Sequence, residues 1–181
     1  MYAIEESSCC VRLICPGNRA VTMKVSDKKD GDLIMTGHMP MHCGVGSCCC
    51  YPKMDVRDPS GSTLGYSDAP FMCSCAQKYR VYNASNSHIY NVAPPLCCGG
   101  CCIDPCDRKH GNNCFSCKIP FYIYPAGSND DVGNITKEWG GLGKELLTDA
   151  DTFSVQFPEG IDANTKAVLL GTTFLLDFTF F

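Results

Sequence analysis

An acidic run near the C-terminal end of the chain, Thr148–Asp162 (TDADTFSVQFPEGID), contains residue types that suit calcium binding. Calcium takes about six to eight oxygen ligands, and Asp149 and Asp151 occupy the first and third positions of an EF-hand-like loop. The remaining ligands predicted for such a loop are the backbone carbonyls of Phe153, Val155 and Phe157, with the carboxylate of Glu159 or Asp162 reached by bending of the loop. The run therefore predicts a calcium site.

The match to an EF-hand loop is incomplete at two positions. Ser154 stands where the motif needs glycine for a sharp turn, and Gly160 stands where it needs a bidentate carboxylate. A helix end that leads into a strand, with solvated carboxylates, explains the same residues. Both interpretations stay open on the local sequence.

Cysteine is the most unusual feature of the composition: the chain has 16, and all lie between Cys9 and Cys117. The first residues, MYAIEESSCCVRL, lack the basic and apolar regions of a secretory signal. We therefore expect reduced thiols rather than a disulfide scaffold. Metal binding, lipid attachment and buried thiols that act as small apolar groups remain as roles.

Two Cys-x2-Cys pairs, Cys98 with Cys101 and Cys114 with Cys117, have the spacing of a tetrahedral zinc site. This pattern predicts Zn²⁺ bound by these four thiolates, and Cys97, Cys102, Cys106 and His110 are alternative ligands. Reduced thiols held in loops are the competing interpretation.

Three consecutive cysteines, Cys48, Cys49 and Cys50, lie in a Gly/Ser-containing stretch, HCGVGSCCCYP. Side chains of successive extended residues point to opposite faces, so the three thiols do not converge easily on one metal ion. Such clusters suit S-acylation, which attaches a protein to a membrane. Inert thiols explain the cluster equally well.

An enzyme is not supported by the sequence. The four histidines (His38, His42, His88 and His110) lie near no serine or aspartate motif, and no nucleophile elbow, P-loop or dinucleotide fingerprint is present. The net charge is −4 with no basic block, so we expect no direct nucleic-acid partner.

Short strands separated by turns dominate the expected secondary structure. Three segments, Ala20–Gly37, Lys53–Ser67 and Lys78–Ala93, alternate apolar and polar residues on both sides of turn residues and predict β-hairpins. KIPFYIYP and TFSVQFP predict further strands, and the whole pattern is typical of an antiparallel sandwich or barrel. Helices are predicted after Thr136, weakened by three glycines, and after Asp162, a suitable N-cap.

The segment Lys166–Phe181 is almost entirely apolar, with a single carboxylate at Asp177. Its residues from position 167 onward give a helix of ~22 Å, whereas a bilayer core measures ~30 Å. This length favours a buried core helix over a membrane span. The residues that we assign to this core or membrane helix are Ala167, Leu170, Phe174, Asp177 and Phe181.

The segment Lys137–Phe181 resembles the C-terminal signature of the phospholipid scramblase family. The matching residues are Trp139, Gly141-Leu142, Glu145, the run Thr148–Pro158, Lys166–Val168 and the final FLLDFTFF. Upstream, the cysteine-rich stretches and Ser62–Tyr66 (STLGY) also fall where the family has them. The resemblance covers essentially the whole chain.

This resemblance implies a mostly β, tubby-like fold, in which an antiparallel β-barrel of about twelve strands surrounds a hydrophobic C-terminal helix. It implies calcium-dependent, ATP-independent, bidirectional movement of phospholipids between membrane leaflets, without enzymatic catalysis. It also implies palmitoyl groups on cysteines and a position at the cytoplasmic face of the plasma membrane, with the phospholipid membrane and signalling proteins as partners.

Three departures from the family pattern change these expectations. Family members carry a Pro-rich tail and the first barrel elements before the position of Met1, so we expect residues 1–181 to form one N-terminally incomplete domain with fewer strands. Gly160 replaces an acidic residue, so calcium should bind weakly, at about millimolar concentration. The family's basic importin-binding stretch corresponds to Gly133–Leu142, which contains only Lys137 as a basic residue.

Two functions follow from these patterns. The first is calcium-dependent phospholipid scrambling by a membrane-anchored protein. The alternative is a non-transporting, membrane-anchored tubby-like adaptor that binds signalling proteins and holds zinc at its Cys-x2-Cys pairs.

Overall fold

Twelve strands and one helix form the regular structure in the part of the chain that the structure describes. The computed structural model describes residues 1–7, 18–29, 31–43, 50–70, 77–97, 102–104, 107, 120–138 and 152–180. The elements are β1 Tyr2–Glu6, β2 Val21–Ser26, β3 Leu33–Met39, β4 Lys53–Arg57, β5 Thr63–Asp68, β6 Tyr79–Asn83, β7 His88–Ala93, β8 Leu96–Cys97, β9 Cys102–Ile103, β10 Pro120–Pro125, β11 Gly133–Glu138, β12 Thr152–Gln156 and α1 Ala163–Phe180.

Ten of these strands form one antiparallel sheet, in the order β1-β2-β3-β4-β5-β6-β7-β10-β11-β12. β8 and β9 form a separate two-stranded sheet. Within the described residues β1 and β12 are not hydrogen-bonded to each other, so the large sheet is open. The predicted fold class, mostly β with a C-terminal helix, is confirmed.

The chain divides into two compact units. The larger contains Met1–Phe71, Tyr79–Tyr90 and Ile161–Phe181, and the smaller contains Met72–Lys78 and Asn91–Gly160. The larger unit therefore holds β1 to β6 and the helix, whereas the smaller unit holds β8 to β12. The residues of β7 are shared between the two.

The inner face of the larger unit follows directly from two-residue alternation. In β2, Val21, Met23 and Val25 are buried while Lys24 between them is exposed. The pairing of β2 with β3 places Val25 opposite Met35, which is also buried. Because side chains alternate across a strand, this register gathers the apolar residues on one face. The first predicted hairpin is confirmed.

Side-chain acceptors hold the next two hairpin turns. Between β4 and β5 the Asp58 carboxylate accepts hydrogen bonds from the Ser60 hydroxyl at 2.6 Å and the Ser62 amide at 2.8 Å. The first of these bonds is the largest cause that lowers the pKa of Asp58. Between β6 and β7 the Asn83 side chain accepts from the Ser87 amide at 2.9 Å. These are the turn residues that the sequence predicted.

The helix lies against β3, β4, β5 and β6 of the larger unit. The helix comes close to the strands at Gly171, where a Cβ would overlap Cγ2 of Val56 in β4. At Gly65 in β5, which has a φ of +152°, a Cβ would lie 2.9 Å from Cγ2 of Val168. Both glycines therefore permit a short distance between helix and sheet.

The smaller unit contains the antiparallel strands β10, β11 and β12. Phe121 of β10 lies opposite Ile135 of β11, which in turn lies opposite Val155 of β12. The predicted helix start at Thr136 is wrong, because Thr136 lies within β11 opposite Ser154. The buried, β-branched Ile135 between polar neighbours follows the two-residue period of a strand. The rest of that predicted helix, from residue 139, lies outside the described residues.

Candidate functional site

The C-terminal helix begins as the sequence predicts, with Asp162 as its N-cap. The Lys166 amide donates to the Asp162 carbonyl oxygen at 3.1 Å, which closes the first helical turn. The carboxylate of Asp162 accepts a hydrogen bond from the Thr165 side chain, and this bond is the largest cause that lowers the pKa of Asp162. The carboxylate proposed as a calcium ligand therefore also stabilises the helix start.

One face of the helix is deeply buried in the larger unit. Val168, Leu169, Leu175 and Leu176 are each 0% exposed, and Gly171, Thr172 and Thr173 are buried beside them. The residues that we assigned to the helix from the sequence lie on a different face. Ala167, Leu170, Phe174 and Asp177 are only half-buried, and Phe181 lies outside the described residues.

The two buried threonines of the helix are satisfied within it. The hydroxyls of Thr172 and Thr173 donate to the carbonyl oxygens of Val168 and Leu169, at 2.9 and 3.1 Å. Such bonds let a threonine enter an apolar interior without an unsatisfied donor. Within the described residues, no helix has the length and apolar character needed to cross a bilayer.

The acidic run predicted to bind calcium is only partly described. Asp149 and Asp151 lie outside the described residues. Phe153 and Val155 lie in β12, paired with Lys137 and Ile135 of β11, and Phe157 is half-buried after the end of the strand.

Strand β12 sets a geometric limit on calcium ligation by its carbonyl groups. In an extended strand, carbonyl oxygens two residues apart on the same side lie ~6.6 Å from each other. Two oxygens bound to one calcium ion at up to ~2.6 Å are at most ~5.2 Å apart. As long as β12 keeps this conformation, the carbonyls of Phe153 and Val155 cannot both bind one ion. A site that uses both requires β12 to leave the strand conformation.

The cysteine assignments fall mostly outside the described residues. This is the case for the zinc candidates Cys98, Cys101, Cys114 and Cys117, and for the acylation candidates Cys48 and Cys49. Cys50 is half-buried, and its carbonyl oxygen accepts a hydrogen bond from the Cys43 amide at 2.8 Å. Within the described ranges, no three His, Cys, Asp or Glu side chains are grouped so that they could hold a metal ion.

Aromatic and basic side chains cluster on the larger unit, a feature that sequence reasoning missed. We call this cluster the tyrosine surface and define it as Lys53, Tyr66, Arg80, Tyr82 and His88. The rings of Tyr66 and Tyr82, paired across β5 and β6, stack with centroids 4.6 Å apart. His88 lies against Tyr82 at 5.2 Å. The alternation of Arg80 and Tyr82 along β6 is the sequence signal for this surface.

Cations of the tyrosine surface lie over its rings. The Lys53 ammonium is 4.0 Å from the centroid of Tyr66, and the Arg80 guanidinium is 5.8 Å from that of Tyr82. Arg80 also forms a two-pronged ion pair with Asp68, at 2.9 and 2.8 Å. The hydrogen bond to Asp68 is the largest cause that raises the pKa of Arg80. Rings that are apolar in body and polar at the hydroxyl, held beside fixed cations, suit a boundary between polar and apolar phases.

Comparison with known proteins assigns the chain to one family. The family model described as Scramblase matches residues 1–181. Phospholipid scramblase 1 of Mus musculus is 32% identical over 99% of this chain and 50% of its own length. Phospholipid scramblase 2 of Bos taurus is 33% identical, over 99% of this chain and 56% of its own length.

A human relative gives the same result. Phospholipid scramblase 1 of Homo sapiens is 30% identical over 99% of this chain and 52% of its own length. The chain thus spans about half the length of the curated relatives that it matches. No solved structure matches it. The family match over the whole chain and the identities near one third lead to one conclusion: the chain belongs to the scramblase family.

Proposed function

We propose that this protein moves phospholipids between the two leaflets of a membrane, in both directions, without ATP and in response to calcium. The observation that carries the proposal is the scramblase family match over all of residues 1–181. Its relatives are named phospholipid scramblases, and they are about twice as long as this chain.

The tyrosine surface supports membrane contact by the larger unit. Tyrosine rings concentrate at the boundary between headgroups and acyl chains, and lysine and arginine are attracted to anionic headgroups. Lys53, Arg80, Tyr66 and Tyr82 bring these two properties together on neighbouring strands. We propose that this surface faces the headgroup region when the protein is attached to a membrane.

We further propose that palmitoyl chains on Cys48, Cys49 and Cys50 anchor the protein at the cytoplasmic face of the plasma membrane. A single acyl chain gives only marginal membrane binding, whereas two or more give stable attachment. Replacement of all three cysteines by serine should move the protein from the membrane fraction to the soluble fraction, with loss of hydroxylamine-sensitive palmitate label. Cys43→Ser is the matched control and should change neither the amount of protein in the membrane fraction nor the palmitate label.

For calcium, we propose ligation by Asp149 and Asp151, assisted by Asp162 and by backbone carbonyls of the Phe153–Phe157 segment. While β12 is extended, the carbonyls of Phe153 and Val155 cannot both bind one ion. Calcium binding through both carbonyls would therefore loosen the pairing of β12 with β11. Hydrogen exchange of β12 amides should therefore become faster when calcium is added. Unchanged exchange at saturating calcium would limit the ligands to side chains and a single carbonyl.

The decisive test of the function is a reconstitution in liposomes that contain fluorescent phospholipid, with ATP absent. Dithionite quenching should report faster exchange between leaflets on addition of ~1 mM calcium, the range of weak sites. Asp149→Ala and Asp151→Ala should remove the calcium increment, whereas Asp32→Ala in an exposed hairpin turn should keep it. Membrane binding without any lipid exchange would reject scrambling and favour the non-transporting adaptor.

A further inference from the structure

The smaller unit contains a cavity of about 370 Å³. This volume lies in the range of ~300–1,000 Å³ that is typical of small-molecule sites. The polar residues of its lining include Lys78, Asn91, Asp104, Asp107, Tyr124 and Asn129. An apolar wall comes from Pro94 and Pro95, both buried. None of these residues belongs to the calcium, zinc or acylation assignments.

Two carboxylates form the acidic side of the cavity. Asp107 is 3% exposed, and its carboxylate accepts a hydrogen bond from the Tyr122 hydroxyl. Burial, and then this bond, raise the pKa of Tyr122. Asp104 is half-buried; its amide donates to the Pro95 carbonyl oxygen at 2.7 Å, and its own carbonyl accepts from the Asp107 amide at 3.4 Å. These backbone bonds fix the positions of Asp104 and Asp107, both of which line the cavity.

A cation, Lys78, lines the same cavity. Lys78 is half-buried, and its ammonium lies within 4.0 Å of no carboxylate among the described residues, so it forms no ion pair there. Its ammonium group has three hydrogen-bond donors, which a ligand or water can satisfy. The cavity lining thus contains both a cation and carboxylates.

We propose that this cavity binds a small zwitterion that carries a primary ammonium group and an anionic phosphate or carboxylate group. The ligand ammonium donates to Asp104 and Asp107, each of whose carboxylate oxygens accepts more than one hydrogen bond. The anionic group accepts from the Lys78 ammonium, with the Asn129 amide beside it. The amino-phosphate headgroup of a phospholipid has this chemistry, and so do free amino-phosphate compounds.

The lipid form of this inference rests on the proposed scrambling function, whereas binding of a free zwitterion does not. We therefore separate them by calorimetry on the full chain in membrane-free buffer. The probe is glycerophosphoethanolamine, the water-soluble headgroup. Its matched analogue is glycerophosphocholine, which has the same charges but no N–H donor on its ammonium group.

Glycerophosphoethanolamine should bind at least about tenfold more tightly than glycerophosphocholine, because hydrogen bonds to charged groups are lost with the quaternary ammonium. Lys78→Met should weaken its binding by at least about tenfold, and Asp104→Asn by a similar factor. Lys29→Met, in an exposed hairpin turn, is the matched control and should bind normally. Circular dichroism checks that every variant is folded, and two independent substitutions keep the test decisive if one of them is not.

Three outcomes would overturn the proposal: no binding of glycerophosphoethanolamine, equal binding of both analogues, or unchanged binding in a folded Lys78→Met variant. Calcium binding that Asp104→Asn abolishes, without headgroup binding, would reassign the cavity to a cation. A short-chain phosphatidylethanolamine that binds more tightly than the free headgroup identifies lipid as the source, whereas tighter binding of the free compound identifies a soluble ligand. Headgroup binding that persists in a preparation without scrambling activity rejects the proposed function and keeps the site.

Discussion

The interior of the larger unit and the cavity of the smaller unit are built from opposite chemistry. In the larger unit the helix buries leucine and valine against apolar strand residues such as Met54 and Val56, all of them 0% exposed. Its buried hydroxyls at Thr172 and Thr173 donate to the carbonyls of the helix itself. In the smaller unit a buried carboxylate and a half-buried lysine line an open volume of about 370 Å³.

This contrast separates stability from binding. Apolar groups in close contact stabilise the folded state through burial and dispersion. Charged groups that line a cavity contribute little to stability, since their desolvation opposes any gain from their contacts. Substitutions in the two regions should therefore affect different measurements, and the following predictions test that difference.

The largest effect should come from the buried face of the helix. Leu169→Ala removes a fully buried side chain and should lower the free energy of unfolding by about 2–5 kcal/mol. Leu170→Ala, the same change at the adjacent half-buried position, should cost about half as much or less. Urea denaturation measures both. Equal losses would show that the two faces are equally buried and would remove the distinction between them.

Alkaline pH should weaken the same interior through Tyr79. Burial raises the pKa of Tyr79 from 10.0 to about 12, although its hydrogen bond with Thr179 acts in the opposite direction. Because this pKa is higher in the folded state, the stability it confers is complete below about pH 10 and is lost as the pH rises through about 12. The free energy of unfolding should fall by about 2–3 kcal/mol, since a shift of one pKa unit corresponds to ~1.4 kcal/mol.

Tyr79→Phe keeps the ring and removes this titration. Between pH 9 and pH 12 the free energy of unfolding of the variant should therefore fall by about 2–3 kcal/mol less than that of the unchanged protein. Identical pH profiles would show that Tyr79 ionises as freely in the folded chain as in the unfolded one.

A smaller effect should come from the start of the helix. Asp162→Ala removes the N-cap acceptor and should cost about 1 kcal/mol at neutral pH, whereas Asp162→Asn keeps an acceptor and should cost less. The folded pKa of Asp162 is lowered, so its contribution is present above about pH 3.8 and is lost as the pH falls through the folded value. The difference from the alanine variant should accordingly shrink on acidification, as measured by thermal unfolding. If the stability difference between the unchanged protein and the alanine variant does not depend on pH, the Asp162 carboxylate does not act in the cap.

The smallest effect on stability should come from the cavity. Lys78→Met and Asp104→Asn remove no apolar contact of the core, so each should change the free energy of unfolding by no more than about 0.5 kcal/mol. The same variants are those expected to lose headgroup binding. A large loss of stability in either would show that the cavity charges hold the smaller unit together and would break the contrast.

The hairpins of the larger unit could be predicted because each carries its own local signal. Val21, Met23 and Val25 alternate with polar residues, and the turn at Asp58 contains the acceptors that it uses. Asp162 predicted the helix start for the same reason, since capping depends on neighbours in sequence. β1 was missed because only Tyr2 and Ile4 mark its apolar alternation, and Ile4 is 44% exposed.

Features that depend on distant residues could not be read from the sequence. The helix is apolar on nearly every side, so its sequence does not show that Leu169 rather than Leu170 faces the strands. The cavity is also hidden, because Lys78 and Asp107 come from segments far apart in the chain and no spacing rule connects them. The strand predicted from TFSVQFP is present as β12, and its extended conformation conflicts with the calcium ligation that loop spacing suggested for Phe153 and Val155.

The hydrogen bond between Tyr79 and Thr179 has a consequence for how the chain folds. It joins residues 100 positions apart, and the helix that carries Thr179 follows in sequence every strand that it covers. Contacts at such separation require closure of a long loop, which slows folding. Until the helix docks, Met54 and Val56, whose side chains lie beside Gly171 of the helix, are less buried than in the folded protein. Refolding should therefore pass through an aggregation-prone, strand-rich intermediate. The yield of folded protein should fall as the protein concentration rises, and a chaperone that binds the intermediate should protect it from aggregation.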